Sequence, residues 1–221
     1  MHNEDELIFV KTPARNRANK FSFTDDQIKA YNGLIKFINE PYNPNDFKRA
    51  LIGACGTGKT FLLKALLQDC NIPFSEIGLS APSHKACRVL RNSIRGTHCN
   101  VNTIQSDFGF KPNYDIEKFD INNPPFDPKG NVKVENYNLY IIDEASMINK
   151  GLLRFIERIL KENHCKVIYC GDDKQLSPIN EFRSEAFAGV KSYRLNQIVR
   201  QDEDNPIRPL LSMLRDDIEH K

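Results

Sequence analysis

The stretch GACGTGKT, residues 53–60, decides how the other residues of the 221-residue chain are read. It fits the spacing G-x-x-x-x-G-K-[ST], which a chain of this length shows by chance roughly once in a hundred sequences. The residues around it supply the context that the spacing requires. Ala50, Leu51 and Ile52 read as a short strand before it, and residues 59–68 read as a nearly all-apolar helix after it. Strand, glycine-rich turn and helix in that order make a phosphate cradle. Glycines let backbone N–H groups curl around an anion without side-chain clash, and the helix N-terminus adds partial positive charge. Gly53, Ala54, Cys55, Gly56, Thr57 and Gly58 would then line the phosphates. Lys59 would reach the β- and γ-phosphates of ATP, and Thr60 would offer a hydroxyl to Mg²⁺. The alternative is a purely structural glycine-rich β–α turn.

A second stretch answers the first. In LYIIDEAS, residues 139–146, an apolar strand delivers Asp143 and Glu144 to its C-terminal end. Open α/β sheets bind ligands along that edge. Asp143 is placed to hold Mg²⁺, directly or through water, and Glu144 to orient and deprotonate an attacking water. Alone, the pair reads equally well as acids favoured near a helix N-terminus. A third stretch, VIYCGDDKQLSPI over residues 167–179, begins as a strand and runs into polar residues that a plain turn does not need. A strand over 166–170 beside the Asp143 strand would open this loop near the γ-phosphate. Gln175 would then bond the γ-phosphate or the water, and Leu176, Ser177 and Pro178 would relay its loss on hydrolysis. A polar loop capped by Asp172 is the simpler alternative.

The rest of the chain alternates strands and helices. Residues 23–38 read as a helix with Ile28, Tyr31, Leu34, Ile35 and Ile38 on one face, Thr24 as N-cap and Gln27 closing a capping box. Residues 74–79 read as a strand, 84–94 as a helix with Ala86, Val89 and Leu90 inward, 137–142 as a strand and 152–160 as an amphipathic helix. This alternation implies an α/β fold, a parallel sheet covered on both faces. Residues 110–136, rich in proline and asparagine, break the rhythm. Residues 11–20 carry Arg15, Arg17 and Lys20 without periodicity and read as a solvated tail, with a nucleic-acid arm as the lesser alternative.

Composition sets outer bounds. Hydrophobic residues make up 40% and charged residues 27%, enough for a core and a charged surface. A net charge of +2 does not by itself imply a polyanionic partner. No apolar run approaches a membrane span, and the acidic first residues lack a signal-peptide pattern. The six cysteines show no C-x-x-C pair or zinc spacing, so reduced thiols in a cytoplasmic protein are expected.

With these motifs in this order, the chain resembles the first RecA-like domain of superfamily 1 DNA helicases. The pattern is that of the 5′→3′ branch that includes RecD-like enzymes and the phage Dda helicase. FSFTDDQIKA (21–30) resembles the adenine-reading glutamine motif, with Gln27 as reader; the capping box competes for the same side chain. SAPSHKACRVL (80–90) resembles the segment that touches the backbone of single-stranded DNA, which implies contacts from Pro82, Ser83, His84 and Lys85. NTIQSDFGF (102–110) resembles a second strand-contacting segment and implies Thr103, Gln105 and Ser106. GDDKQLSPI implies Gln175 and Pro178, and LNQIVRQ (195–201) implies that Arg200 reaches the γ-phosphate. Ser83, Gln105 and Ser177 depart from the usual threonine, histidine and proline, none at the phosphate chemistry. The resemblance divides the chain into a tail (1–20), a RecA-like P-loop ATPase domain (21–109 and 137–205) and a small β-rich insertion (110–136). Residues 206–221 would be a C-terminal helix or the start of a second domain. In relatives the insertion can carry a pin that splits a duplex junction, a role open to Phe119, Pro124, Pro125 and Phe126; a minidomain with its own cluster is the alternative. Relatives also have a second RecA-like domain that adds an arginine across the ATP cleft and half of the DNA track. No such unit is seen in this sequence, so it is expected to hydrolyse ATP slowly on its own. Two other readings remain: a P-loop module that binds nucleotide or DNA without motor activity, and another P-loop ATPase class.

Overall fold

The computed structural model describes residues 23–112, 126–128, 132–175 and 184–199. Six parallel strands form the central sheet: β1 (Lys48–Gly53), β2 (Ile77–Ala81), β3 (Asn100–Thr103), β6 (Leu139–Ile142), β7 (Lys166–Gly171) and β8 (Ser192–Leu195), in the order β3-β2-β6-β7-β1-β8. Helices α1 (Asp25–Asn39), α2 (Lys59–Asp69), α3 (His84–Ser93), α4 (Ile104–Asp107) and α5 (Lys150–Glu162) complete this body. A separate antiparallel pair, β4 (Phe110–Pro112) with β5 (Phe126–Pro128), sits within the segment that breaks the alternation.

Burial of both faces explains why the central strands are continuous apolar runs. On β6, Leu139 and Ile141 face one core with Leu34, Leu62, Leu66 and Leu90, drawn from α1, α2 and α3. Tyr140 and Ile142 face the other core, with Ile104, Phe108, Ile156 and Leu160. β7 repeats the pattern, Ile168 and Cys170 on the first side and Val167 and Tyr169 on the second. The period of two is thus present but hidden, because both phases are apolar.

Several details differ from or go beyond the sequence reading, among them Ile28 of α1, which is 44% exposed while Ala30 and Phe37 are buried. Residues 74–76 form a 3₁₀ turn after Pro73, and the strand begins only at Ile77. α3 turns Cys87 and Leu90 inward, which leaves Val89 59% exposed about half a turn away from them. Lys166 is buried, and its ammonium donates to the carbonyls of Phe37 (2.8 Å), Ile38 (2.9 Å) and Glu40 at the end of α1. Val134 lies fully buried in the α5-side core, so the chain has rejoined the main body before residue 136. The tail 1–20, residues 206–221, Leu176, Ser177, Pro178, Arg200, Phe119, Pro124, Pro125 and the side chain of Phe126 lie outside the described residues. Among the described residues no helix is long and apolar enough to cross a membrane.

Gly78 shows how tightly the second core closes. A Cβ built there would stand 2.5 Å from the Tyr137 ring and 2.6 Å from the Tyr140 ring. Tyr140 is fully buried and cannot swing out of the way. Overpacking of this kind costs about 1–3 kcal/mol. At about 2–4 °C per kcal/mol for a chain of this size, Gly78→Ala is expected to lower the midpoint of thermal unfolding by several degrees. An unchanged midpoint in calorimetry would contradict this packing.

Candidate nucleotide site and the edge beside it

The loop between β1 and α2 is shaped by left-handed glycines. Gly56 and Gly58 both have φ of +85°, which an L side chain rarely adopts. At Gly58 a Cβ would also stand 2.4 Å from Gln27 Nε2. Inside the loop, Thr57 Oγ1 donates to Ala54 O at 2.9 Å, while Lys59 Nζ donates to Gly53 O at 2.7 Å and Ala54 O at 3.1 Å. Two braces hold the loop from outside. Gln27 Nε2 donates to Thr57 O at 3.0 Å, and the Val199 N–H donates to Gly56 O at 2.9 Å. The Gln27 amide uses both of its ends. Its Oε1 accepts from Thr24 N at 3.1 Å as the capping box requires, while its Nε2 serves the loop. Cys55 is exposed on the loop surface.

The acids emerge beside Lys59. Asp143 follows β6, anchored by its N–H to Ser80 O at 2.8 Å, and its Oδ1 accepts the Glu144 N–H at 3.0 Å. Glu144 itself is left-handed (φ 54°, ψ 38°), an unusual state for a non-glycine residue and one that clusters at functional sites. Burial pushes the Asp143 carboxyl above the usual range, opposed by the Glu144 N–H and the Lys59 charge. Glu144 is pushed up by burial and then by Asp143, with Lys59 opposing and Asp172 adding to the rise. Lys59, Asp143, Glu144 and Asp172 are therefore electrostatic neighbours.

The polar run after β7 sorts into separate duties. Asp172 is 4% exposed; its Oδ1 accepts from Lys174 N at 3.1 Å and its carbonyl from Gln175 N at 3.2 Å. Asp173 makes a two-pronged pair with Arg194 on β8 at 3.0 and 2.5 Å, which holds its carboxyl below the usual range. Gln175 is exposed.

The two segments expected to meet a nucleic-acid strand lie at the C-terminal ends of β2 and β3. Ser83 Oγ caps α3 by accepting from Ala86 N at 3.1 Å, and Thr103 Oγ1 caps α4 by accepting from Ser106 N at 3.3 Å. Pro82 is half-buried, whereas Ser83, His84 and Lys85 are exposed. Gln105 is half-buried, and Ser106 accepts from Lys133 Nζ at 3.2 Å. A buried link that the sequence reading missed lies beneath them. Asp107 is fully buried; Tyr140 Oη donates to its Oδ2 and Asn102 Nδ2 to its Oδ1, each at 2.8 Å. Tyr140 sits three residues before Asp143, so this carboxylate ties the α4 turn to the strand that carries the acids. The one available hint is an acid set between Ile104 and Phe108, which are both buried.

Asp143 and Thr60, the residues expected to hold a cation, both offer oxygen donors. That suits Mg²⁺, a hard cation that takes one or two protein oxygens and completes its shell with phosphate and water. Among the described residues no group of three or more His, Cys, Asp or Glu side chains is placed to hold a metal.

A glycine loop feeding a helix, an acidic pair at the end of a parallel strand one position removed in the same sheet and helices on both sheet faces define a RecA-like P-loop domain. The chain belongs to the AAA domain family (AAA_30), whose family model matches residues 37–220. It is 28% identical over 212 residues to protein R530 of Acanthamoeba polyphaga mimivirus, covering 87% of this chain and 41% of that one. It is 30% identical over 159 residues to the ATP-dependent RecD2 DNA helicase of Deinococcus radiodurans, covering 71% of this chain and 20% of that one. Its fold is similar to that of the Bacteroides Pif1 helicase solved with ADP-AlF3 and single-stranded DNA, with a TM-score of 0.57, 22% identity and coverage of 89% and 47%. The chain thus spans less than half the length of these relatives. The resemblance to a superfamily 1 helicase domain drawn from the motifs agrees with the likeness to RecD2 in sequence and to Pif1 in fold.

Two outcomes follow from this geometry. Tyr140→Phe keeps the ring and removes one donor from a buried carboxylate, so it is expected to cost about 1–3 kcal/mol in denaturant unfolding; a smaller loss would show the pair to be dispensable. The raised carboxyls of Asp143 and Glu144 favour the fold when protonated, and that contribution is lost as pH rises through their folded pKa values. Asp143→Asn is therefore expected to raise the unfolding midpoint at pH 7 in buffer without divalent cation. A lowered midpoint would refute the buried-charge account.

Proposed function

We propose that this chain is the ATP-hydrolysing motor domain of a 5′→3′ DNA helicase that moves on single-stranded DNA. The observation that carries this reading is the shared edge. The phosphate loop, the Asp143–Glu144 pair and the capped turns at Ser83 and Thr103 all follow the C-terminal ends of parallel strands of one sheet, β6, β2 and β3 side by side and β1 beyond β7. A nucleotide in the loop and a polymer across the turns would lie on one side of one sheet, the side where α/β proteins bind ligands. The two relatives named as helicases support the same assignment.

Within this reading Gly53, Ala54, Cys55, Gly56, Thr57 and Gly58 surround the phosphates, and Lys59 moves from carbonyl partners to the β- and γ-phosphates. Thr60 and Asp143 hold Mg²⁺, which supplies charge neutralisation on the phosphate oxygens when bound. Glu144 takes the proton of the attacking water; its upward-shifted carboxyl is a stronger base than an ordinary one. Gln27 flanks the loop on the side assigned to adenine, and its Nε2 would exchange Thr57 O for the base. Gln175 and Arg200 sense the γ-phosphate, and Pro178 joins Pro82, Ser83, His84, Lys85, Thr103, Gln105 and Ser106 along the strand. A second RecA-like domain is the remaining partner, and a cytoplasmic setting fits six free thiols. The insertion, with β4 and β5 at its base, is where a pin for the duplex junction would stand. A stand-alone binding module is disfavoured because a pure binder has no need of Glu144 held in a left-handed conformation beside Asp143.

The test is steady-state ATP hydrolysis at low salt, with and without single-stranded DNA. Slow turnover with measurable Mg-ATP binding is expected, raised by DNA. Glu144→Gln should abolish turnover and leave nucleotide affinity within about twofold, and the acid limb of the pH–rate profile should lie above the ordinary carboxylate range. Unchanged turnover in Glu144→Gln would remove Glu144 from the mechanism, and failure to bind nucleotide at all would overturn the proposal.

A further inference from the structure

Residues 77–106 contain no aspartate or glutamate, although a chain with 29 acids in 221 residues would place about four in a stretch that long. The same thirty residues hold Lys85, Arg88, Arg91 and Arg95, in a chain whose net charge is only +2. The structure gathers most of this charge on one face. α3 buries Cys87 and Leu90 against the sheet, and Ile94 follows them inward. That leaves Lys85, Arg88, Val89 and Asn92 pointing away, all exposed. Arg95, just past the helix, donates from Nη2 to Asn92 Oδ1 at 3.0 Å, which draws its guanidinium back over the last turn on the same side. Arg91 is turned toward β3, where it donates to Val101 O at 2.6 Å. The outer face thus carries three cations and one isolated valine along about 15 Å of helix, the rise of about four phosphates of a duplex strand. α5 offers the contrast: its cations are interleaved with Glu157 and Glu162.

We propose that the outer face of α3 binds the phosphate backbone of nucleic acid beyond the single-strand track, with Arg88 and Arg95 as its contacts. This rests on the reading of the Ser83–Lys85 turn as a strand contact. α3 begins at that turn and runs back along the sheet toward the N-terminal ends of the strands, so a backbone leaving the edge there meets the basic face next. The occupant is nucleic acid rather than protein. A protein interface needs an apolar centre, and this face offers Val89 alone. A polyphosphate needs spaced cations without acids among them, and reads no base in the process.

The experiment is fluorescence anisotropy of the full chain with a labelled partial duplex bearing a single-stranded tail, and separately with a labelled oligothymidylate of eight nucleotides, over a salt series. Arg88→Ala/Arg95→Ala is compared with wild type and with Arg154→Ala/Lys161→Ala, which removes the same charge from exposed positions of α5. All four positions are exposed, and thermal melts verify that each variant folds. The α3 variant is expected to lower the slope of log affinity against log salt on the tailed duplex by about 1.8, or about 0.9 for each phosphate no longer neutralised, and to bind the short oligomer as wild type does. The α5 variant should leave both slopes unchanged. Equal slopes for wild type and the α3 variant, or an equal drop in slope for both variants, would overturn the assignment of α3 while leaving the strand-contact reading standing. If wild type binds neither probe at low salt, that reading fails, and this one with it.

Discussion

The whole arrangement depends on a backbone constraint: strand β1 must turn into helix α2 through two glycines at positive φ. Only that path curls the loop so that Thr57 Oγ1 can close onto Ala54 O and Lys59 can fold back to Gly53 O. The path is then locked from outside by Gln27 and Val199, which come from opposite ends of the described chain. The loop is therefore a tertiary object as much as a local one. Its conformation is written in its glycines, and its rigidity comes from α1 and from the segment after β8.

Burial on both sheet faces has an electrostatic consequence at the strand ends. Strands that carry apolar residues in both phases deliver their last residues into a site already poor in water. Asp143 and Glu144 arrive there together, with Asp172 close by, and Lys59 is the cation that opposes their rise. The fold tolerates this unfavourable cluster because the cores beneath are large. The same frustration leaves the cluster short of positive charge, which is what a cation with a polyphosphate would supply.

Legibility in the sequence follows locality. β1, α2, β6 and β7 are readable because their signals are contiguous: an apolar run, a glycine spacing, an acidic pair. β3 and β8 are not, since NVNT and SYRL are short edge strands with too much polarity to stand out from loops. Val89 reads inward by its chemistry yet lies outside, because a helical face is fixed by which residues its neighbours cover, and Cys87 takes the buried place. The phosphate loop is plain, whereas the Asp107–Tyr140 bond is hidden because its partners are 33 residues apart and its one local sign is an acid between two apolar residues. The cap made by Gln27 is legible because Thr24 stands three residues before it, whereas the brace from its other end to Thr57 O joins residues 30 positions apart and leaves no local sign.

The β4–β5 ladder has a consequence for the segment it closes. Phe110 is paired with Pro128, so the segment leaves the main body and returns to it through adjacent backbone positions. Whatever lies beyond those three paired residues is grafted on a seam that holds the register of neither core. The entropy of closing a loop across such a seam grows only slowly with its length. The length of chain between the two paired strands can therefore vary at small cost to the two cores beneath it.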